Sequence, residues 1–85
     1  MDSNKVLVKI ILPEMDKSYD MYIPINRKIG NVIALINKLL KELTLDSYKA
    51  SIHQCLYNKE TGDIYDNSKL VIDTDIRNGS RLVLL

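Results

Sequence analysis

The chain has 85 residues, 46% of them hydrophobic and 27% charged, which is too apolar for a disordered polymer and suits one small domain spanning residues 1–85. Twelve basic residues stand against eleven acidic ones, giving a net charge of +1 with neither sign gathered in a block. This excludes the basic stripe by which nucleic-acid binders neutralise phosphates, so no nucleic-acid partner is expected.

Lys5 to Leu12 is rich in β-branched and apolar residues and reads as a first strand, with Val6, Val8 and Ile10 on the core face and Leu7, Lys9 and Ile11 opposite. Lys9 also interrupts the apolar run, which argues against a signal peptide, and no segment approaches the roughly 18 apolar residues of a membrane span. A cytoplasmic protein without direct membrane insertion is expected. Pro13 to Ser18 carries turn chemistry and implies a hairpin. Ser18 to Ile25 then alternates as a second strand, with Tyr19, Met21 and Ile23 inward, Asp20 and Tyr22 outward, and Pro24 ending it or placing it at an edge.

Ile29 to Leu43 is the one stretch with apolar residues at sustained helical spacing. Ile29, Val32, Ile33, Ile36, Leu39, Leu40 and Leu43 step by three or four, and the wide stripe they form needs a sheet to cover it. Asn26 is the expected N-cap, although Arg27 and Lys28 place positive charge at the positive end of the helix dipole. After a polar connection, Ile52 to Asn58 reads as a third strand with Gln54 and Leu56 inward and His53, Cys55 and Tyr57 outward. Lys59 to Gly62 is a tight turn, and Asp63 to Tyr65 a very short fourth strand. In the irregular segment 66–76, Leu70, Val71 or Ile72, and Ile76 are spaced to pin a long loop to the core. Arg77-Asn78-Gly79-Ser80 is a turn, and Arg81 to Leu85 a final strand.

This order, two hairpin-joined strands, one helix, further short strands, a pinned loop and a closing strand, resembles the ubiquitin-like β-grasp. It implies an α+β fold with a mixed four- to five-stranded sheet packed on one main helix, about residues 29–43. Lys28 to Ile36 is similar to the start of ubiquitin's helix, and Leu70 to Leu84 to its closing loop and last strand. Within that superfamily the segment from Tyr19-Asp20-Met21 to Pro24, the Val32-Ile33 pair and the Ile76-to-Leu82 ending resemble the small YukD/EsaB proteins of bacterial type VII secretion loci. The Ile-, Asn- and Lys-rich usage is similar to that of low-GC bacteria. Modifiers of the ubiquitin type end in an extended Gly-Gly tail, whereas Leu85 sits at the end of the expected last strand. The resemblance therefore implies an unattached protein that serves as an accessory or regulator of the secretion machine. Its partner would be a cytosolic domain of a machine component, bound without covalent chemistry. A covalent modifier or sulfur carrier with its tail missing from this chain is the competing expectation.

Catalytic candidates are weak. His53 and Cys55 share a strand face but lack an obvious third member, and Asp73 and Asp75 lie in a segment rich in turn residues that favours loop capping. The single cysteine excludes a disulfide framework, and there is neither a Gly-rich phosphate loop nor a His cluster. No enzyme, cofactor or metal is expected. The stronger candidate is the outer sheet face, where Leu7, Ile11, Tyr57, Val83 and Leu85 would form a protein-binding patch. Self-association through the same face is the next expectation.

Overall fold

The computed structural model describes residues 4–45, 47–50 and 53–85. Its first strand, β1 (Lys5–Leu12), turns through a 3₁₀ segment at Pro13–Met15 into β2 (Lys17–Pro24). Pro13 starts that turn with its fixed φ, and Asp16 closes it in the left-handed region at φ 51°. The helix α1 (Ile29–Leu43) follows, then β3 (Leu56–Asn58), a second 3₁₀ turn at Val71–Asp73, and β4 (Arg81–Leu84).

The sheet has the order β2-β1-β4-β3, with β1 and β4 parallel at the centre and antiparallel pairs on either side. This is the expected mixed β-grasp sheet. The period-two reading of β1 holds residue by residue, since Val6, Val8, Ile10 and Leu12 are all buried. They meet Met21 and Ile23 from β2, Leu56 from β3, and Leu82 and Leu84 from β4 in one core. Tyr19, expected inward, packs half-buried against its margin.

α1 covers this core with Ile29, Val32, Ile33, Ile36 and Leu40. Leu39 and Leu43, assigned to the buried stripe from sequence, are instead 39% and 58% exposed. At about 100° per residue, Leu39 lies on the flank of the arc centred on Ile36 and Leu40. Leu43 is in phase with the arc but falls on the last turn of the helix. The helix start also departs from expectation. Lys28, not Asn26, is the N-cap, and no side chain caps it. The loop does that work: Ile29 N–H donates to the Lys69 carbonyl at 2.9 Å and Gly30 N–H to the Asn67 carbonyl at 3.0 Å. At the other end Thr44 donates both its N–H and its hydroxyl to the Leu40 carbonyl, and Leu45 leaves in the left-handed region at φ 53°.

The strand expected at Ile52 to Asn58 spans Leu56 to Asn58; Ser51 and Ile52 lie outside the described residues. The expected fourth strand is an isolated bridge between Tyr57 and Ile64. Of the residues offered as loop pins, Val71 and Ile76 are buried, whereas Leu70 and Ile72 are exposed. Ile72 N–H reaches the Ile25 carbonyl and Val71 N–H the Arg27 carbonyl, which ties this loop to the approach to α1.

Candidate binding face

The five residues expected to form one patch fall into separate groups. Ile11 lies opposite Val83 in the parallel β1–β4 ladder, and Val83 opposite Tyr57 in the β3–β4 ladder. All three are half-buried on the outer face and form a row across three strands. Cross-strand neighbours of this kind are within side-chain contact range. Leu85 follows β4 and exchanges two backbone hydrogen bonds with Cys55. Alternation puts it on the same side as Val83, next to a cleft of about 240 Å³ that it shares with Leu12, Met15, Tyr48 and Gln54.

Leu7 stands apart. Four residues from Ile11 along an extended strand is roughly 13 Å. Its cross-strand neighbour is Tyr22, 64% exposed. Between the two apolar zones runs a charged row: Lys9 lies opposite Asp20 on one side and Arg81 on the other. Lys9 Nζ is 3.1 Å from Asp20 Oδ1, and Arg81 grips Glu60 through two nitrogens at 2.9 and 3.1 Å. Exposed pairs such as these contribute about 0–1 kcal/mol each, so their main effect here is to divide the apolar surface.

The other candidates take structural positions. Cys55 Sγ lies 4.0 Å from the His53 carbonyl oxygen, a backbone contact. Asp75 does not cap its loop. It accepts from the Tyr65 hydroxyl at 2.6 Å and from Asn58 Nδ2 at 3.1 Å, which cross-links the loop to β3. Partial burial, and then the carboxylate of Asp75, hold the Tyr65 phenol well above its ordinary pKa. Asp66 is the residue that caps: it accepts from the Ser68 N–H and hydroxyl, and those bonds lower its pKa.

Gln54 points inward as expected and completes a ring that sequence did not reveal. Asn37 Nδ2 donates to Gln54 Oε1, Gln54 Nε2 donates to the Tyr48 hydroxyl, and that hydroxyl donates to Asn37 Oδ1. Partial burial raises the Tyr48 pKa, opposed by the bond from Gln54. Among the described residues, no group of His, Cys, Asp or Glu is arranged to hold a metal ion, and no helix is long and apolar enough to cross a membrane.

Neither a family model nor a curated protein matches this chain. Solved structures do. The ubiquitin-like domain of the Mycobacterium tuberculosis type VII secretion protein EccD1 superposes with a TM-score of 0.74 at 16% identity, covering 95% of this chain and 97% of that domain. A chain of the MycP5-free ESX-5 inner membrane complex matches with a TM-score of 0.70 at 16% identity over 96% of this chain, which spans 21% of that larger component. Caldiarchaeum subterraneum ubiquitin matches at 0.65 and 12% identity, covering 94% and 90% of the two chains. At these identities the likeness establishes the fold. This chain has the ubiquitin-like β-grasp fold.

Proposed function

We propose that this chain is a ubiquitin-like accessory or regulatory protein of a bacterial type VII secretion system, of the YukD/EsaB kind. It acts in the cytoplasm by binding a cytosolic domain of a machine component without forming a covalent bond. The observation that supports the binding mode is the in-register row of Ile11, Val83 and Tyr57 on a rigid sheet. Half-buried apolar side chains on central and neighbouring strands are already ordered, so binding a partner costs little further side-chain entropy. Leu85 extends the row towards the end cleft, and Leu7 lies outside it beyond the charged row. The presence of this fold in a type VII secretion protein and in a secretion membrane complex supports the choice of system.

The test is affinity capture from the cytosol of the source organism with the C-terminus left untagged, followed by denaturing electrophoresis. Secretion-machine components should be recovered with the bait at its own mass, and Val83→Glu or Tyr57→Glu should abolish recovery while leaving the unfolding midpoint nearly unchanged. Unchanged capture by both variants would remove the patch from the mechanism. Bait bands shifted upward by the mass of a target would mean covalent attachment instead.

A further inference from the structure

The C-terminal end of α1 carries a second surface, separate from the row on the sheet face. At about 100° per residue, Asn37 and Lys41 lie on one flank of the helix, while Leu35, Leu39 and Leu43 form an exposed ridge on the other. Segment 47–50 returns along the first flank and is tied there. Ser47 N–H donates to the Thr44 carbonyl at 3.1 Å, Tyr48 N–H to Thr44 Oγ1 at 3.0 Å, and the Tyr48 hydroxyl to Asn37 Oδ1 at 2.9 Å. Between this segment and the helix opens a cleft of about 550 Å³, lined by Asn37, Lys38, Lys41, Tyr48, Lys49 and Ala50.

Among the described residues, three lysines line this cleft, no carboxylate does, and none of the three forms an ion pair. The acids in the sequence from 37 to 50 are Glu42 and Asp46. Glu42 lines a different groove, between α1 and β2, and Asp46 lies outside the described residues. Leu45 stands on the turn that joins the two walls of the cleft. It holds the position after the helix C-cap, where glycine is the usual residue, at φ 53°, and it is 90% exposed. A bulky side chain is strained in the left-handed region, and one so exposed recovers nothing by packing.

We infer that this end of the molecule lies on an anionic phospholipid surface, with Leu45 entering the boundary below the headgroups and Lys38, Lys41 and Lys49 set against the lipid phosphates. Two features choose this occupant. A leucine that projects from a tied turn is a knob, which needs a soft receptor, and the uncompensated cations near it need oxyanions. A lipid surface offers both, an apolar layer with a layer of phosphates directly above it. Lysine stems are long enough to follow the apolar boundary while their ammonium groups stay at headgroup level. The contact is peripheral, since no helix among the described residues is long and apolar enough to cross a membrane. It does not depend on the sheet-face reading, because Tyr57 and Val83 are absent from this cleft.

The test is co-sedimentation of the whole protein with vesicles of phosphatidylcholine, with and without phosphatidylglycerol. Binding should require phosphatidylglycerol and weaken as salt rises. Lys41→Gln and Lys49→Gln should each weaken it about fivefold. Leu45→Gly should weaken it about tenfold and at the same time raise the urea unfolding midpoint, because glycine adopts this φ without strain. That opposite pair of changes separates loss of the knob from loss of the fold. Leu45→Asn, also tolerant of the left-handed region, should weaken binding in the same way, and Val83→Ser should leave it unchanged. No binding to the anionic vesicles, equal binding to neutral ones, or unchanged binding by Leu45→Gly would each overturn the assignment. Isothermal titration showing glycerol phosphate bound as tightly as the vesicles would also overturn it, by giving the cleft to a soluble phosphate compound. A dimer in sedimentation velocity that Leu45→Gly dissociates would do the same, by giving the knob to a second copy of this chain.

Discussion

β3 and β2 are both edge strands of one sheet, yet the chain treats them in opposite ways. At β3 the segment after the Gly62 turn comes back alongside: Asn58 N–H reaches the Asp63 carbonyl, Tyr65 N–H reaches the Leu56 carbonyl, and Asp75 clasps Tyr65 and Asn58. The loop that does this is anchored by Ile76 and Val71. At β2 nothing comparable lies across the strand among the described residues, and the neighbouring helix shows a leucine ridge instead of a closed seam. An unpaired edge invites strand addition, which natural sheets usually suppress with short strands, charge or proline. β2 has Lys17 and Asp20 and stops at Pro24, but it keeps eight residues. The difference separates an edge that the chain covers with its own loop from one that it leaves open among the described residues.

The contrast is sharpest in mutational cost. Ile76→Ala, which empties a fully buried anchor of the covering loop, should cost about 2–5 kcal/mol in urea unfolding. Gly79→Ala forces a side chain into φ +89° at the turn whose N–H reaches the Leu7 carbonyl, and should cost about 1–3 kcal/mol by the same measurement. Asp75→Ala removes two side-chain bonds from the β3 clasp. A loss of about 1 kcal/mol is expected, and ultraviolet titration should show the Tyr65 phenol ionising closer to its ordinary pH.

The sign of the pH effect follows from that phenol. Its pKa in the folded chain is raised above the ordinary 10.0, so the neutral form is the one the fold favours. Its contribution is complete below pH 10 and declines as pH climbs above it. Thermal unfolding of the unaltered protein should therefore fall off more steeply on the alkaline side than that of Tyr65→Phe. On the open side, Leu39→Ala should change stability by no more than about 0.5 kcal/mol. A cost matching that of Ile76→Ala would erase the contrast, because Leu39 would then be part of the core.

Sequence was most informative where one physical rule acts alone. The inward set of β1 followed from strict alternation, and the bounds of α1 from its period, because both elements bury one face against a single core. It was least informative where a distant partner decides. Asn26 has the chemistry of an N-cap, but the carbonyls of Asn67 and Lys69 already meet the first helical N–H groups. Leu39 and Leu43 match the helical period, and the sheet covers neither. The outer-face residues were placed on the correct side, since Ile11, Val83 and Tyr57 align as neighbours. Their separation from Leu7 was hidden, because it depends on the register that brings Asp20, Lys9 and Arg81 into one row. The Asn37–Tyr48–Gln54 ring had no local signal, since its members come from three different segments.

The parallel pairing at the centre of the sheet also sets when this protein can come into being. β1 gains its inner neighbour only when residues 81–83 exist, and the bond from Leu7 N–H to Asn78 Oδ1 joins positions 71 apart in sequence. A nascent chain that has emerged from the ribosome as far as the helix has a hairpin and an apolar helical face, but not the strand that completes the middle of the sheet. Closing so long a loop comes before most of the burial that stabilises it. Folding should therefore wait until translation has passed the last strand, and fragments cut anywhere before Arg81 should remain substrates for chaperones and proteases.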